Sequence, residues 1–503
     1  MVHAKEKAPE ETQGTSLDPK QAKADKLEKM RAKGIDPYPH VYRPTHKAAD
    51  ILQTYETLEN GIETEDEVSV AGRIMAMRNN GMFIDLHDET AKIQVFSHKE
   101  SLSEEQLENL TLYDIGDVIG VKGTVRRTPR GEISVRAKEL TMLTKSLLPL
   151  PEKYHGLTDI EQRYRQRYLD MIMSEESRET LRKRVEIVNF IRSYMTSIGA
   201  VEVETPMLHP IMGGASAKPF ITHHNSLDTD FFLKVAAELY LKRLLVGGFA
   251  EHVYEMGRYF RNEGLSPKHN PEFTMIEGNV LWQDYHDIMD MLEDVMTRTV
   301  EHACGTLKIT YGETEIDFSR PWKRAGMVDL VTEETGVNFH DIESDEDARK
   351  KAEELGVHVE KDARWGHVVG AVFEEKVEDK LINPVHVIDH PVDTSPLAKT
   401  HRENPRLVER VETFVNGWEL TNGFTELNDP KIQLERFEEQ MAAREAGDEE
   451  AQMLDEDYIT ALEYGLPPNC GWAIGIDRFV MLLTNAPSIK DVICFPTLKP
   501  VKS

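Results

Sequence analysis

The chain has 503 residues, with 89 acidic and 60 basic side chains and a formal net charge of −29. This length, with 40% hydrophobic and 30% charged residues, predicts a folded protein of roughly two to four domains and excludes a disordered chain. Three scattered cysteines without a CxxC pair exclude a disulfide framework and a cysteine zinc site, so we expect a cytoplasmic location. No apolar run reaches the roughly 20 residues of a membrane helix, and we expect no membrane association. The net charge excludes a generally basic surface, but it does not describe any local face.

The first 150 residues contain a run of short strands behind a charged extension. Residues 1–60 predict an N-terminal extension that is partly helical or flexible. An Asn-Asn-Gly turn at 79–81 separates the first two strands, and a capping box at 103–106 predicts a short helix after the third. The predicted strands are 68–77, 82–87, 92–96 and two more on either side of a turn at 128–131. Three strands, a helix and two strands predict an OB-fold β-barrel over residues 61–146.

The predicted barrel presents side chains that suit unpaired bases. Alternation along the strands turns Ile84 inward and Phe83 outward, and it also turns Gln94 outward on the next strand. Six basic against two acidic side chains in residues 121–140 make this part of the barrel locally positive. Base stacking on an aromatic ring along a basic groove is typical of OB folds that bind single strands. The alternative is that Phe83 caps the barrel and the arginines form a solvated face.

The remaining chain mixes amphipathic helices with long strands. Residues 147–180 predict a linker or hinge, and residues 181–503 predict a second domain with a helical insertion at about 325–380. Four of its stretches resemble motifs 1, 2 and 3 of the class II aminoacyl-tRNA synthetases: EVETP at 202–206, FRNEG at 260–264, HNPEFTMIE at 269–277 and GWAIGIDR at 471–478. Three more resemble the lysyl branch of that family: GGAS at 213–216, ELYLK at 238–242 and TNGFTELN at 421–428.

The resemblance covers roughly residues 60–500, with all blocks in order. It implies an α+β protein in which an N-terminal OB-fold anticodon-binding domain precedes a catalytic domain built on an antiparallel β-sheet with flanking helices. It also implies ATP- and Mg²⁺-dependent activation of L-lysine and transfer to the 3′ end of tRNA(Lys), by a homodimer formed through the motif 1 segment. In the barrel, the implied anticodon contacts are Arg73, Phe83, Gln94 and Glu132.

ATP has to be held without a GxxxxGK[ST] loop, which the sequence lacks. Arg261 and His269 bracket a loop between two predicted antiparallel strands and would supply positive charge to phosphates. An arginine also suits stacking on a base, so Arg478 and Phe273 are candidates for the two faces of adenine. The resemblance assigns catalysis and ATP binding to Arg261, Glu263, His269, Asn270, Phe273 and Arg478. It directs Arg261 to the α-phosphate and the substrate carboxylate, Glu263 to adenine and His269 to the distal phosphates.

A second informative feature is the predicted hairpin around Asn416-Gly417. A two-residue turn there pairs Phe414 with Glu419, which puts Glu412 and Glu419 on one face. Two carboxylates that converge without a basic partner predict magnesium on phosphates. The alternative is an exposed acidic hairpin. The resemblance places the ion on both glutamates and adds them to the ATP-binding set.

The strand that follows predicts the lysine site. Asn422, Phe424 and Glu426 share one face by period-2 alternation, which suits an amino acid with a carboxylate, an aliphatic stem and a distal ammonium. The resemblance assigns these three residues to those three groups in that order. It assigns the α-ammonium to Gly214 and Glu238, and it adds Glu277 to the ε-ammonium site. A buried, unpaired carboxylate is costly, so we expect uncharged side chains to be rejected strongly.

The run Glu277-Gly278-Asn279 departs from the lysyl pattern, which has a tyrosine at the third position. By alternation Asn279 shares a face with Phe273 and Glu277 and reaches the pocket, but an amide is shorter than a phenol. The departure bears on how strictly lysine is selected.

Two alternatives stay open at this point. An aspartyl- or asparaginyl-type synthetase of the same subclass has an anionic or neutral substrate, and the three glutamates of the lysine site argue against it. A catalytically idle tRNA- or partner-binding protein would not need the phosphate and magnesium residues. The first reaction step needs no general base, because a carboxylate with a pKa near ~3.5 is already ionised at neutral pH.

Overall fold

The structure, a computed structural model, describes residues 18–151, 157, 159–447 and 450–501. The chain divides into two compact units, Met1–Gly156 and Leu157–Ser503. Part of the predicted extension, residues 1–17, and part of the predicted linker, residues 152–156 and 158, lie outside the described residues. Within the described ranges, no helix has the length and apolar character needed to cross a membrane.

The first unit is a closed five-stranded barrel with three helices in its described residues. Its elements are α1 (Pro19–Ala32), α2 (Ala48–Thr54), β1 (Glu63–Arg78), β2 (Phe83–His87), β3 (Lys92–Phe96), α3 (Glu104–Leu110), β4 (Val118–Arg127) and β5 (Ile133–Thr144). The strands close in the order β1-β2-β3-β5-β4, and α3 lies between β3 and β4 in the chain. The predicted OB-fold is therefore confirmed.

Local sequence explains these boundaries. Asn79, Asn80 and Gly81 have positive φ values of 51°, 54° and 88°, as the predicted hairpin turn requires. The Ser103 side chain accepts a hydrogen bond from the Gln106 amide and begins α3. The helices of the predicted extension pack on the barrel, because Met30, Ala48 and Ile51 are fully buried in its hydrophobic core.

The second unit is built on one large sheet. Its strands are β6 (Val201–Glu202), β7 (Leu208–His209), β8 (Ile221–His224), β9 (Thr229–Leu233), β10 (His252–Phe260), β11 (Glu272–Leu281), β12 (Lys308–Tyr311), β13 (Thr314–Asp317), β14 (Lys323–Gly326), β15 (Val385–Pro391), β16 (Leu407–Val415), β17 (Trp418–Thr425) and β18 (Asn469–Gly475). Eight of them form the main sheet in the order β14-β15-β16-β17-β18-β11-β10-β6. The pairs are antiparallel except at the two edges, where β14–β15 and β10–β6 are parallel. The predicted antiparallel sheet is confirmed.

Helices flank this sheet on both faces. They are α4 (Ile160–Arg165), α5 (Arg167–Met173), α6 (Glu175–Ser197), α7 (Glu238–Val246), α8 (Tyr285–Cys304), α9 (Met327–Thr335), α10 (Asp345–Glu354), α11 (Trp365–Lys376), α12 (Pro430–Glu445), α13 (Glu456–Glu463), α14 (Ile476–Leu483) and α15 (Ile489–Val492). The largest hydrophobic core joins α6, α8 and α14 to one face, and a second core joins α7, α12 and α13 to the other. Helices α9, α10 and α11 form a third core at β15 and β16, where the helical insertion was predicted.

The second unit begins earlier than the predicted residue 181. Arg167 on α5 is almost completely buried and forms an ion pair of 2.9 Å with Asp170. Its guanidinium also donates hydrogen bonds to the carbonyl oxygens of Ile493 and Cys494. The α5 segment is thus anchored to the C-terminal part of the second unit by a buried cation.

The face of the sheet toward α8 has one tightly matched contact. Gly278 on β11 pairs with Trp472 on β18, and the indole of Trp472 covers the glycine. A Cβ atom at Gly278 would lie 2.4 Å from Trp472 Cζ2. Glycine is therefore required here by the size of its neighbour.

We predict that Gly278→Ala destabilises the second unit by about 1–3 kcal/mol, because the methyl group overpacks the core. In a Trp472→Leu background the same change should cost much less, since the clashing ring is gone. Urea unfolding of the four variants measures both costs.

The matched control is Gly370→Ala in α11, where a Cβ would meet nothing within 4 Å. It should be neutral or slightly stabilising, because alanine favours a helix. An equal cost of Gly278→Ala in both backgrounds would contradict the proposed clash.

Candidate active site

A cavity of about 390 Å³ opens on the face of the main sheet that lies away from α8. It is lined by every residue that was predicted for ATP, magnesium or lysine: Gly214, Glu238, Arg261, Glu263, His269, Asn270, Phe273, Glu277, Asn279, Glu412, Glu419, Asn422, Phe424, Glu426 and Arg478. Strands β11, β17 and β18 supply its floor, and the loop between β10 and β11 lies at one end. The structure thus brings the separate sequence blocks into one site.

One end of the cavity is cationic. The Arg261 guanidinium lies 5.3 Å from the centroid of the Phe273 ring, and its buried Nε has no hydrogen-bond partner among the described residues. Arg478 on α14 approaches His269 Nε2 at 2.8 Å and donates to the Glu419 carbonyl oxygen at 3.0 Å. Burial, together with Arg478, lowers the pKa of His269, which favours its neutral form. Unsatisfied donors beside two guanidinium groups suit an anion.

The hairpin between β16 and β17 has the predicted turn. Asn416 and Gly417 have φ values of 54° and 64°, and Phe414 pairs with Glu419. Asn422 Nδ2 donates to Glu412 at 3.1 Å and to Glu419 at 3.3 Å, so the two carboxylates converge as expected.

The expectation that these carboxylates lack a basic partner was wrong. Arg410 forms an ion pair with Glu412, and Arg478 Nη1 lies 4.0 Å from Glu419 Oε2. Arg410 is two residues before Glu412 on β16, and alternation therefore turns both side chains to the same face. In the described part of the chain, no three His, Cys, Asp or Glu side chains are grouped as a metal site. This pair fits magnesium only with further ligands from a phosphate, which is how Mg²⁺ is usually bound.

Three further glutamates line the cavity, and a buried lysine that was not predicted lies against two of them. Glu426 is almost fully buried. We expected its carboxylate to be unpaired, but it forms an ion pair with Lys242 on α7. Lys242 also donates to Glu238 Oε1 at 2.5 Å. Glu238 and Lys242 have the i, i+4 spacing of a helical ion pair, and this signal was present in the sequence.

Asn279 reaches the same part of the cavity. Its Nδ2 donates to Glu426 Oε1 at 2.8 Å and lies 3.3 Å from Asn469 Oδ1. A Cβ at Gly471 would lie 2.2 Å from Glu426 Oε1, so only glycine leaves room for the carboxylate. The amide of Asn279 therefore occupies one oxygen of Glu426, and Lys242 occupies the other.

Glu277 is the third of these carboxylates. It is buried on β11 and accepts a hydrogen bond from the Ala237 amide at 2.5 Å. Burial raises the pKa of Glu277 to about 7, with a smaller contribution from the nearby Glu238. Its charge therefore depends on pH near neutrality.

Gln452 is a further cavity residue that the sequence did not single out. Its Oε1 accepts a hydrogen bond from the Gly214 amide at 3.0 Å, and Gly214 has a φ of 89°. The Met453 amide also bonds to the Met212 carbonyl oxygen. The segment before α13 thus holds the glycine loop in place, a contact between distant segments that no local pattern reveals.

In the barrel, three of the four predicted anticodon residues lie on or beside neighbouring strands: Phe83 on β2, Gln94 on β3 and Glu132 directly before β5. The Phe83 ring on β2 lies 5.3 Å from Phe96 on β3, Gln94 accepts from Ser134 at 3.1 Å, and Glu132 is 3.9 Å from Lys92.

Arg73 lies at the other end of β2. It pairs with His87, whereas Phe83 pairs with Arg78, and its guanidinium donates to the Gly116 carbonyl oxygen at 2.7 Å. Arg126 on β4 lies closer to the aromatic rings, since its guanidinium is 4.8 Å from the centroid of the Phe96 ring.

Comparison with known proteins agrees with both units. Residues 159–499 match the family described as tRNA synthetases class II (D, K and N), and residues 68–143 match the OB-fold nucleic acid binding domain. A lysine–tRNA ligase of Carboxydothermus hydrogenoformans is 53% identical, covering 95% of this chain and 97% of the relative. Those of Sinorhizobium medicae and Oceanobacillus iheyensis are 50% and 49% identical, covering 97% and 95% of this chain and 98% of each relative. The chain belongs to the class II tRNA synthetases of the D, K and N group.

Proposed function

We propose that this protein activates L-lysine with ATP and transfers it to the 3′ end of tRNA(Lys). The observation that carries the proposal is the cavity lining, which combines Arg261 and Arg478 with a group of three glutamates, Glu238, Glu277 and Glu426. Lysine has a carboxylate, which suits the arginines, and two ammonium groups, which suit the glutamates. The name lysine–tRNA ligase of the similar proteins supports the same substrate.

In the first step the lysine carboxylate attacks the α-phosphorus of ATP, and pyrophosphate leaves with its electron pair. The carboxylate is ionised at neutral pH, so no residue has to remove a proton. We assign Arg261 to the α-phosphate and the attacking carboxylate, His269 to the distal phosphates, and Arg478 to the face of adenine opposite Phe273. Phe273 and Glu263 would hold adenine, with Asn270 supporting the loop through its bond to the Glu272 carbonyl oxygen. The rate then comes from positioning and charge.

Magnesium fits the hairpin, where Glu412 and Glu419 would hold it with phosphate oxygens. When bound, it would offset the negative charge of the phosphates. Asn422 is suited to orient the two carboxylates, because its amide already bonds to both. Arg410 keeps Glu412 in place through their ion pair.

The lysine side chain would lie along Phe424 with its ε-ammonium at Glu426 and Glu277. Glu238 and the Gly214 loop would hold the α-ammonium, and Asn422 the carboxylate. In the second step the terminal ribose hydroxyl of the tRNA attacks the lysyl-adenylate and releases AMP. The barrel would bind the anticodon through Arg73, Phe83, Gln94 and Glu132.

We also infer a homodimer in the cytoplasm. Large apolar side chains are exposed along the motif 1 region: Val185, Ile198, Val201, Leu208 and Ile221. Strand β6 is also an edge strand of the main sheet. A series of exposed apolar residues beside a sheet edge favours a protein partner, and family resemblance favours a second copy.

The substrate assignment predicts ATP–pyrophosphate exchange that depends on lysine. Aspartate and asparagine should give none, because they present no distal cation to the glutamates. The measurement is exchange of labelled pyrophosphate with each amino acid. Exchange with aspartate alone would contradict the assignment, and ATP binding without any exchange would favour a binding protein.

The raised pKa of Glu277 predicts pH-dependent lysine binding. Below about pH 7 the carboxyl is protonated and no longer attracts an ammonium, so the KM for lysine should rise as pH falls from ~8 to ~6. The KM for ATP should change less. Glu277→Gln removes this ionisation and should reduce the rise, and an identical rise in that variant would assign it to another group.

The anticodon assignment predicts that Phe83→Ala lowers tRNA charging at least tenfold and leaves lysine-dependent exchange intact, because exchange requires no tRNA. Tyr38→Ala is the control, as it removes an exposed aromatic ring elsewhere in the barrel unit. Equal losses of charging and exchange in Phe83→Ala would mean that the ring is structural.

A further inference from the structure

Lys242 is a buried cation beside the cavity that has no role in the proposed reaction as described so far. Its side chain is fully buried behind the cavity wall, where Nζ lies 2.5 Å from Glu238 Oε1 and forms an ion pair with Glu426 Oε2. The same ammonium lies 5.7 Å from the centroid of the Phe424 ring and 5.8 Å from that of Tyr458. The lysine therefore joins the two carboxylates that are assigned to different ammonium groups of the substrate.

The charges at this end of the cavity can be counted. Glu238, Glu277 and Glu426 carry three negative charges when ionised, and Lys242 offsets one of them. Two remain, and lysine brings two ammonium groups. Without Lys242, the bound state would keep one carboxylate charge without a counter-ion in a buried site, which is costly.

We infer that Lys242 is a specificity-determining positioning residue, which holds Glu238 and Glu426 together and sets the acidic end of the cavity to accept two cationic groups. This inference rests on the proposed function, since it takes lysine as the substrate. It assigns no contact between Lys242 and the substrate.

The other charged and titratable groups do not replace this cation. Besides its two glutamates, Lys242 faces the Tyr458 hydroxyl, and Glu426 also faces the buried Cys470 thiol. Burial raises the pKa of both groups, so they stay neutral.

Lys234 and Arg261 act on Glu277. The Lys234 ammonium is bonded to Glu255 at 2.5 Å, and the Arg261 guanidinium lies 5.3 Å from the centroid of the Phe273 ring.

Removing Lys242 should raise the pKa values of the two carboxylates that it joins. Two neighbouring carboxylates that lose their shared cation have raised pKa values, because each disfavours the charge of the other. At neutral pH one of them would be protonated, and an incoming ammonium would have to displace that proton. Lysine binding should then be weak at neutral pH and recover as pH rises.

The test compares Lys242→Met and Lys242→Gln with the parent protein. Methionine removes both the charge and the donor, whereas glutamine keeps a donor. The readout is kcat/KM for lysine in pyrophosphate exchange between ~pH 6 and ~pH 8.5. We expect a loss of about fivefold at pH 7 in both variants, which grows toward about tenfold at pH 6 and nearly disappears by pH 8.5, because the acid limb moves up by about one unit. The KM for ATP should change less than threefold.

The barrel offers a matched control. Lys145 is also fully buried, and it joins Asp114 and Asp117 at 2.5 and 2.8 Å. Lys145→Met removes an equivalent buried cation from the other unit, so lysine-dependent exchange should keep the parent pH dependence. Circular dichroism of all variants tests whether they fold.

The outcomes separate the inference from the proposed function. A parent protein without lysine-dependent exchange would overturn the proposed function itself. Parent exchange together with unchanged or tighter lysine binding in folded Lys242→Met would overturn the role of Lys242. A loss of equal size at every pH, or unfolding of both Lys242 variants, would assign the residue to stability and overturn the inference too.

Discussion

Side-chain alternation along three neighbouring strands is the constraint on which the catalytic unit depends. Asn279, Gly471 and Phe424 form one row across β11, β18 and β17, and Glu277, Ala473 and Asn422 form another. Both rows face the cavity. The row between them faces α8 and contains Trp472. A slip of one residue in β18 would move this indole into the cavity and destroy both the site and the core.

The same constraint gives a physical reason for the unusual run at residues 277–279. Gly278 has no side chain because the Trp472 indole occupies that space. On the opposite face, Gly471 has no side chain because Glu426 lies against it. Asn279 then fits as a short donor to Glu426, with Asn469 behind it. The departure from the lysyl pattern is therefore part of a packed set of residues and not an isolated change.

Patterns with a local origin could be predicted from the sequence. The succession of three strands, a helix and two strands in the barrel, the Asn-Gly hairpin and the shared face of Asn422, Phe424 and Glu426 all follow from turn chemistry and period-2 alternation. Helix-to-sheet contacts could not be predicted, because they depend on how distant elements pack. Lys242 is the clearest case, since its spacing from Glu238 was visible but its contact with Glu426 was not.

Two further residues, Arg410 and Arg73, show how the sequence predictions compare with the structure. The sequence analysis missed Arg410, although side-chain alternation along β16 places it beside Glu412. The two carboxylates were expected to lack a basic partner because alternation was applied to the glutamates and not to Arg410. Arg73 was assigned by resemblance, and the structure directs its guanidinium to a backbone carbonyl oxygen at the far end of β2. That bond uses one of the five donors of the guanidinium, so the anticodon role of Arg73 stays a prediction.

The charged residues of the cavity account for the activation of lysine without a nucleophile or a general base from the protein. In the proposed site, Arg261 attracts a phosphate and a carboxylate, while Glu238, Glu277 and Glu426 attract ammonium groups, so lysine satisfies both sets in one orientation. That orientation brings the carboxylate toward the α-phosphorus, and the activation step then needs only positioning and charge stabilisation. The large negative charge of the chain is compatible with binding two polyanions, because the cations needed for ATP and RNA are concentrated in local sites.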